Sequence, residues 1–379
     1  MASRSFRIAA GVVLATLIVL AAAGLYVRGV ALDYPDTAQP GAGKVVEVEI
    51  KPGMKFAAVL AELGRAKVVA RPRWFKWYAM WRGATSKVKP GRYALRDDLT
   101  PKVLLDTLMK GVKDETTSVT LVPGNNMLEY FAALERARVA PARGLLALAR
   151  DAEFLAAHGL AGDSVEGALF PDTYEFRVGE QPARVLERLI ERHRAVWNQI
   201  ASANGKSLAR LKERLGWSDR DVLILASIVE KEAVSQGERP RIAQVFINRL
   251  TSPDFNPKRL ETDPTIRYGC TVPEVRSAGC KAWEPDGIFE RMIAGQPYGS
   301  NRLRRAQLDD ADNPYNTYQH AGLPPGPISN PSRASLEAAM KPDGSNYFYF
   351  VARSATEHTF SRTLADHRKA VEAYVKSQP

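Results

Sequence analysis

The chain has 379 residues, and its 45% hydrophobic and 25% charged content is ordinary for a globular protein with a sizeable core in two or three domains. Lys and Arg exceed Asp and Glu by 53 to 42, a net charge of +11 that favours anionic partners, and the basic residues are scattered, which excludes a basic tail. Two cysteines and five histidines are too few to suggest a multi-ligand metal site.

Residues 8–27 form an uninterrupted uncharged stretch, mostly Ala, Val, Leu and Ile, of the 20 residues needed to span a bilayer. Arg4 and Arg7 precede it, while Arg28 and then Asp33 and Asp36 follow, so the positive flank places residues 1–7 in the cytoplasm and the rest outside. The other reading is a signal peptide cleaved near Ala21-Ala22-Ala23. Both export the globular part, and export removes nucleic acid as a partner. A linker rich in Pro, Gly and Ala occupies 28–44.

Val46 to Ile50 alternates as a strand does, Pro52-Gly53 turns the chain, and Phe56, Val59, Leu60 and Leu63 then fall at helical spacing. The pattern returns 71 residues later: Ser118 to Val122, Pro123-Gly124, then Met127, Tyr130, Phe131 and Leu134. This predicts one small strand–turn–helix unit used twice, with coincidence around a common turn dipeptide as the alternative. Between the copies, Trp74, Trp77, Tyr78 and Trp81 share one helical face among Arg71, Arg73, Lys76 and Arg82. A stripe packed on the small sheet is the favoured reading, and a membrane-surface or nucleic-acid patch the alternative. A strand near 89–96 and a helix capped by Thr100 and stopped by Gly111 follow.

Residues 126–215 read as mostly helical, interrupted by the loop Glu166–Phe176. Ser218 caps a helix through Glu232 that is apolar from Val222 to Val229, hence buried. Glu230 closes the run, and desolvation there predicts a carboxyl that holds its proton, suited to a general acid. Glu232 points about 200° away and is read as solvated or hydrogen-bonded. An amphipathic helix over Arg239–Leu250, a polar loop over Glu261–Tyr268, a rigid Pro-rich loop over Gly322–Ile328, strands at Tyr347–Val351 and His358–Phe360, and a last helix over Leu364–Val375 complete the chain. Cys270 and Cys280 suit a disulfide in an exported domain.

Seven ordered segments carry a family resemblance: Glu-Gly-Ala-Leu-Phe-Pro-Asp-Thr-Tyr at 166–174, Ala-Ser-Ile-Val-Glu-Lys-Glu at 226–232, Val-Phe-Ile-Asn-Arg-Leu at 245–250, Thr-Asp-Pro-Thr-Ile-Arg-Tyr-Gly at 262–269, Tyr-Asn-Thr-Tyr at 315–318, Gly-Leu-Pro-Pro-Gly-Pro-Ile at 322–328 and His-Thr-Phe at 358–360. Together they resemble the YceG-like family of membrane-anchored endolytic murein transglycosylases. Residues 45–113, through Lys89-Pro-Gly-Arg-Tyr93, resemble the LysM-like module that opens such proteins. The resemblance implies an α+β protein: an N-terminal transmembrane helix at 8–27, a LysM-like α+β module at 45–113 and a mixed α+β catalytic domain at 114–379. The segment from Cys270 to about Asp312 is longer than in a minimal member.

The resemblance further implies an inner-membrane lyase with its catalytic domain outside the cytoplasm. It cuts MurNAc–GlcNAc β-1,4 bonds of nascent peptidoglycan strands without water and without a cofactor, and its partners are glycan strands and, by extension, cell-wall synthases. The family's catalytic Glu is mapped onto Glu230, with a raised pKa, and Glu166 is the rival. Asp172, Tyr174, Asn248, Asp263, Thr265, Tyr268, Asn316 and Tyr318 are the candidate substrate-binding residues. A non-catalytic glycan-binding scaffold and a water-using muramidase are the competing readings. No His-Glu-x-x-His, Gly-x-Ser-x-Gly or Gly-rich phosphate loop occurs, so metalloprotease, serine esterase and nucleotide-binding readings fall away.

Overall fold

The computed structural model describes residues 4–112, 115–299 and 302–377, with side chains from residue 16 onward except 23, 26 and 27. Its contacts divide the chain into two units, Met1–Asp114 and Glu115–Pro379, each with a hydrophobic core.

The first unit opens with helix α1 (Arg4–Asp33). Among the described residues no helix is long and apolar enough to cross a membrane. The expected span 8–27 lies partly outside them, since the side chains of 8–15, 23, 26 and 27 are not described. Beyond it the order is β1 (Val45–Ile50), α2 (Phe56–Arg65), α3 (Pro72–Trp81), β2 (Gly91–Arg96) and α4 (Pro101–Lys110). Alternation in β1 buries Val48 and Ile50 and exposes Glu47 and Glu49. β2 pairs antiparallel with it, Tyr93 opposite Val48. Thr100 caps α4 by accepting from Val103 N, and Gly111, at φ 80°, ends it. On α3 the favoured sequence reading fails. Phe75, Tyr78 and Ala79 enter the core, whereas Trp77 and Trp81 are each 77% exposed. The stripe is therefore split, with one face in the core beside Val59 and Leu63 of α2 and the other in water.

In the second unit β3 (Thr116–Thr120) pairs antiparallel with β4 (Thr173–Arg177). Between them lie α5 (Met127–Arg136), α6 (Ala142–Ala149) and α7 (Ala152–Ala157). α8 (Pro182–Ala203), α9 (Gly205–Leu215), α10 (Asp219–Glu232), α11 (Arg239–Thr251) and α12 (Asp263–Thr271) follow. The longer segment contributes α13 (Ala278–Trp283), α14 (Ile288–Ile293) and α15 (Arg305–Leu308). α16 (Arg333–Met340), the antiparallel hairpin β5 (Tyr349–Ala352) and β6 (His358–Ser361), and α17 (Leu364–Ser377) end the chain. The protein is thus mixed α+β and helix-rich, with three two-stranded sheets among the described residues. Two segments read as loops are ordered elements. β4 forms within 166–176 by pairing with β3. α12 forms at 263–271 because Asp-Pro supplies a first helical turn that needs no proline N–H.

The internal repeat holds at the level of dihedral angles. Gly53 and Gly124 turn at φ 78° and 81°, and the helices end on Lys67 and Arg138 at φ 58° and 59°. Left-handed backbone is uncommon for a residue with a Cβ, so finding it twice at the same offset argues against coincidence. The closing hydrogen bonds match as well: Val68 N to Leu63 O at 3.0 Å and Val139 N to Leu134 O at 2.9 Å.

Candidate active site

The central helix α10 starts as its sequence dictates. Ser218 accepts from Asp221 N, and the Asp221 carboxylate accepts from Ser218 N, a reciprocal cap. Val222, Ile224, Leu225, Ile228 and Val229 are buried, so the helix runs through the core and emerges at Glu230–Glu232. The Pro-rich loop lies along it: Ile328 N donates to Ser227 Oγ at 3.0 Å, and Ser329 Oγ donates to Ser227 O at 3.0 Å.

Glu230 meets a socket of donors. Its Oε2 accepts from Ser332 N at 2.8 Å and Ser332 Oγ at 2.5 Å, and its Oε1 accepts from Arg239 Nη2 at 3.3 Å. Arg239 in turn donates to Ser335 Oγ at 2.9 Å. Ser332 is the N-cap of α16, so the positive end of that helix also faces the carboxylate. Both members of the ion pair are buried, at 7% and 11% side-chain exposure. This corrects the sequence expectation. Burial alone pushes Glu230 up, but the Ser332 and Ser335 hydrogen bonds and Arg239 outweigh it, and its pKa is lowered. Glu230 borders none of the cavities formed by the described residues that are considered below.

Glu232, one turn-fraction on, has the surroundings expected of an acid. Of the two states its position suggested, solvated or hydrogen-bonded, the second holds: Thr262 donates to it. Burial raises its pKa, the Thr262 hydroxyl opposes this by donating to Oε1, and neighbouring Asp263 raises it further. The C-terminal end of α10 adds negative potential there. Glu232 lines a cavity of about 510 Å³ with Arg249, Thr262, Asp263, Tyr318 and Tyr349, within the usual span of about 300–1,000 Å³ for ligand sites. Tyr318 Oη donates to Asp263 Oδ1 at 2.9 Å. Arg249, buried, stacks over Phe255 and Tyr349 and donates through Nε to Phe348 O at 2.7 Å. His358 is pinned nearby by Glu238, Nδ1 to Oε2 at 2.8 Å.

Of the eight candidate binding residues, Asp263 and Tyr318 border this cavity. The others do not border it and are engaged by partners within the protein. Asp172 pairs with Arg192 at 2.9 Å. Tyr174 is buried and donates to Phe170 O. Asn248 donates to Ser345 O and Tyr347 O, holding the strand before β5. Thr265 is buried against Thr262 and Thr317. Tyr268 packs on Tyr315 at 4.8 Å. Asn316 staples its loop by donating to Gln307 O, Leu308 O and Asp310 O. Sequence reasoning missed Glu232, Thr262 and Arg249. The signal for Glu232 was present, two residues from Glu230, but which face carries a cavity is not written in helical spacing.

Glu166 titrates at about 8 because it is fully buried. It touches a second cavity of about 550 Å³ beside His193 and Trp197. Its oxygens are occupied, however, by Met127 N at 3.1 and 3.0 Å and Asn330 Nδ2 at 2.9 Å. It is a buried tie between α5 and the Pro-rich loop. A larger cavity of about 620 Å³ beside α6 holds arginines already paired, Arg143 to Glu290 and Arg150 to Glu274, and none of the motif carboxylates. Cys270 and Cys280 form a disulfide across α12 and α13, their Cα atoms 4.6 Å apart.

A carboxyl whose pKa is raised by burial, facing an aromatic- and carboxylate-lined cleft in a mixed α+β domain, is the kind of arrangement that acid–base enzymes use. The chain belongs to the YceG-like family, whose model matches residues 48–373. It is 27% identical over 348 residues to an endolytic murein transglycosylase of Bacillus subtilis (strain 168), covering 88% of this chain and 86% of that protein. It is 25% identical over 392 residues to an endolytic murein transglycosylase of Streptococcus pneumoniae serotype 2 (strain D39), covering 96% of this chain and 64% of that protein. A yceG-like protein of Listeria monocytogenes, known from a crystal structure, matches with a TM-score of 0.51 and 25% identity over 86% of this chain and 99% of that one.

Proposed function

We propose that the protein is a peptidoglycan lytic transglycosylase whose general acid is Glu232. The observation that carries the assignment is the contrast at the end of α10: Glu232 is half-buried on the cavity with a raised pKa, while Glu230 is paired with Arg239. Activity on murein follows from the relatives' names and family membership.

The reaction is a self-attack by the sugar. Protonated Glu232 gives its proton to the leaving oxygen of the MurNAc–GlcNAc β-1,4 bond as that bond breaks. The resulting carboxylate takes the proton of the MurNAc 6-hydroxyl, whose oxygen closes onto C1 and leaves a 1,6-anhydro end. One carboxyl serves both transfers, and the intramolecular nucleophile is already in place. A pKa above the ordinary carboxylate range is what a group with both jobs needs near neutral pH. Thr262 orients the carboxyl, and Tyr318, fixed by Asp263, offers a hydroxyl and a ring edge to the glycan. Arg249 places positive charge near the stem carboxylates.

Residues 8–27 anchor the chain in the bacterial inner membrane, with both globular units outside the cytoplasm. The strand–helix–helix–strand order of 45–96 supports a LysM-like glycan-binding role for residues 45–113. Tethering confines cleavage to strands near the bilayer, hence to nascent ones, and sets their length together with the synthases.

Asp263 on the same cavity supports a second reading, a muramidase in which two carboxylates activate water. Mass spectrometry of products from purified glycan strands separates them, because anhydro ends are one water lighter. Wild type is expected to yield anhydro ends and Glu232→Gln none. Hydrated ends favour the muramidase, and full activity in Glu232→Gln sinks the assignment of the acid.

A further inference from the structure

The least explained surface of the first unit is the outer face of α3. Trp77, Met80 and Trp81, at i, i+3 and i+4, are 77%, 59% and 77% exposed. A Trp carries about 150–250 Å² of burial-competent surface, and contiguous apolar exposure on that scale marks an interaction site. Trp74, Trp77, Tyr78 and Trp81 join Arg28 and Leu32 around a cavity of about 300 Å³. Tyr34 backs this cradle, its ring 5.9 Å from Trp74 and 6.4 Å from Tyr78. Over residues 71–82 there are four basic side chains and no acidic one.

We propose that the outer face of α3, with the last turns of α1, is a membrane-docking surface that lies in the headgroup layer of an anionic bilayer. The inference rests on the reading that residues 8–27 span the membrane. Leu32 lies five residues beyond Val27 on the same helix, about 7.5 Å along its axis at 1.5 Å per residue. The headgroup layer on each side of the hydrocarbon is about 5–7 Å thick. The cradle is therefore carried to the interface by the length of α1 alone. Trp and Tyr prefer that layer, where an apolar ring meets hydrocarbon while its N–H or O–H stays wet. Arg71, Arg73 and Lys76 supply attraction to anionic lipid. Arg82 is already committed to Asp106 at 3.0 Å and to Tyr78 Oη at 2.8 Å, which fixes the aromatic side of the cradle. The surface holds the first unit flat on the membrane instead of leaving it to swing on its linker.

The test uses the full chain in vesicles of phosphatidylethanolamine and phosphatidylglycerol, some carrying lipids brominated near the glycerol end of the acyl chains. Flotation reports anchoring. Quenching of tryptophan emission by the brominated lipids, compared between wild type and the double variant W77A/W81A, reports docking. Wild type is expected to float and to lose about a third to a half of its emission, Trp77 and Trp81 with part of Trp74 among six indoles, while W77A/W81A floats and loses at most the Trp74 share. If W77A/W81A unfolds, W77F/W81F removes the same emitters and keeps the apolar face. Failure to float overturns both the anchor and the docking surface. Flotation with equal quenching of wild type and variant overturns the docking surface alone. An emission shift with soluble glycan oligomers, without lipid quenching, overturns it in favour of a glycan platform.

Discussion

Two regions at one helix end hold carboxylates two residues apart and treat them oppositely. The Glu230 socket has Arg239, the Ser332 donors and the positive end of α16. The Glu232 cavity has one hydroxyl donor, a neighbouring carboxylate and the negative end of its own helix, with Arg249 and His358 near but neither hydrogen-bonded to it, and burial outweighs their pull. Both groups are substantially removed from water, so burial does not decide their charge. The count of donors and the sign of the nearest helix end do. The first is a fastener between α10, α11 and α16, and the second is a carboxyl with a raised pKa beside a cleft.

The sharpest break of this comparison is an activity measurement. Glu232→Gln should lower the rate of anhydro-end formation by about 10²- to 10⁴-fold, the usual share of acid–base help, while Glu230→Gln, if folded, should lose less than about tenfold. Reversal of that order in a product assay would return the acid role to Glu230. Next in size is stability. Glu230→Ala leaves Arg239 buried without its partner, and denaturant unfolding should show a loss of about 3–5 kcal/mol.

Thermal melts across pH sharpen the contrast further, because the signs oppose. Glu230 is lowered from 4.5, so its contribution is present above about pH 4.5 and disappears as pH falls through its folded value. Glu232 is raised from 4.5, so its native state is best off below about pH 4.5 and loses ground as pH rises toward the folded value. Glu232→Gln should therefore gain on wild type with rising pH, and Glu230→Gln should fall behind over the same direction. Parallel curves would contradict the structure's two environments. The smallest effect is Tyr318→Phe, which removes one hydrogen bond to Asp263 worth about 1 kcal/mol. It should cost about tenfold or less in activity with a melting temperature lower by only about 2–4 °C.

The two copies of the strand–turn–helix unit give a gentler comparison. Their turns and left-handed helix ends agree, yet the first turn, Lys51–Gly53, is exposed. In the second, Gly124 N donates to Asn330 O, and Gly124 O accepts from Lys231 Nζ at 3.1 Å. The same local device is a surface turn in one unit and part of the support for the α10 terminus in the other.

The sequence by itself determined what is local or periodic. The β1 alternation, the reciprocal cap at Ser218, the buried run of α10 and the repeated Pro-Gly turns all depend on neighbours within about four residues. Ordered motifs likewise carry the signature of the YceG-like family to which the chain belongs. Tertiary structure alone decided which glutamate faces a cleft, which tyrosine lines it and which half of the α3 stripe meets water. Those outcomes depend on partners such as Ser332, Thr262 and Asp263, which lie from 30 to 102 residues away from the glutamates they touch or adjoin. Helical spacing fixes the angle between Glu230 and Glu232, and only packing fixes what stands at each angle.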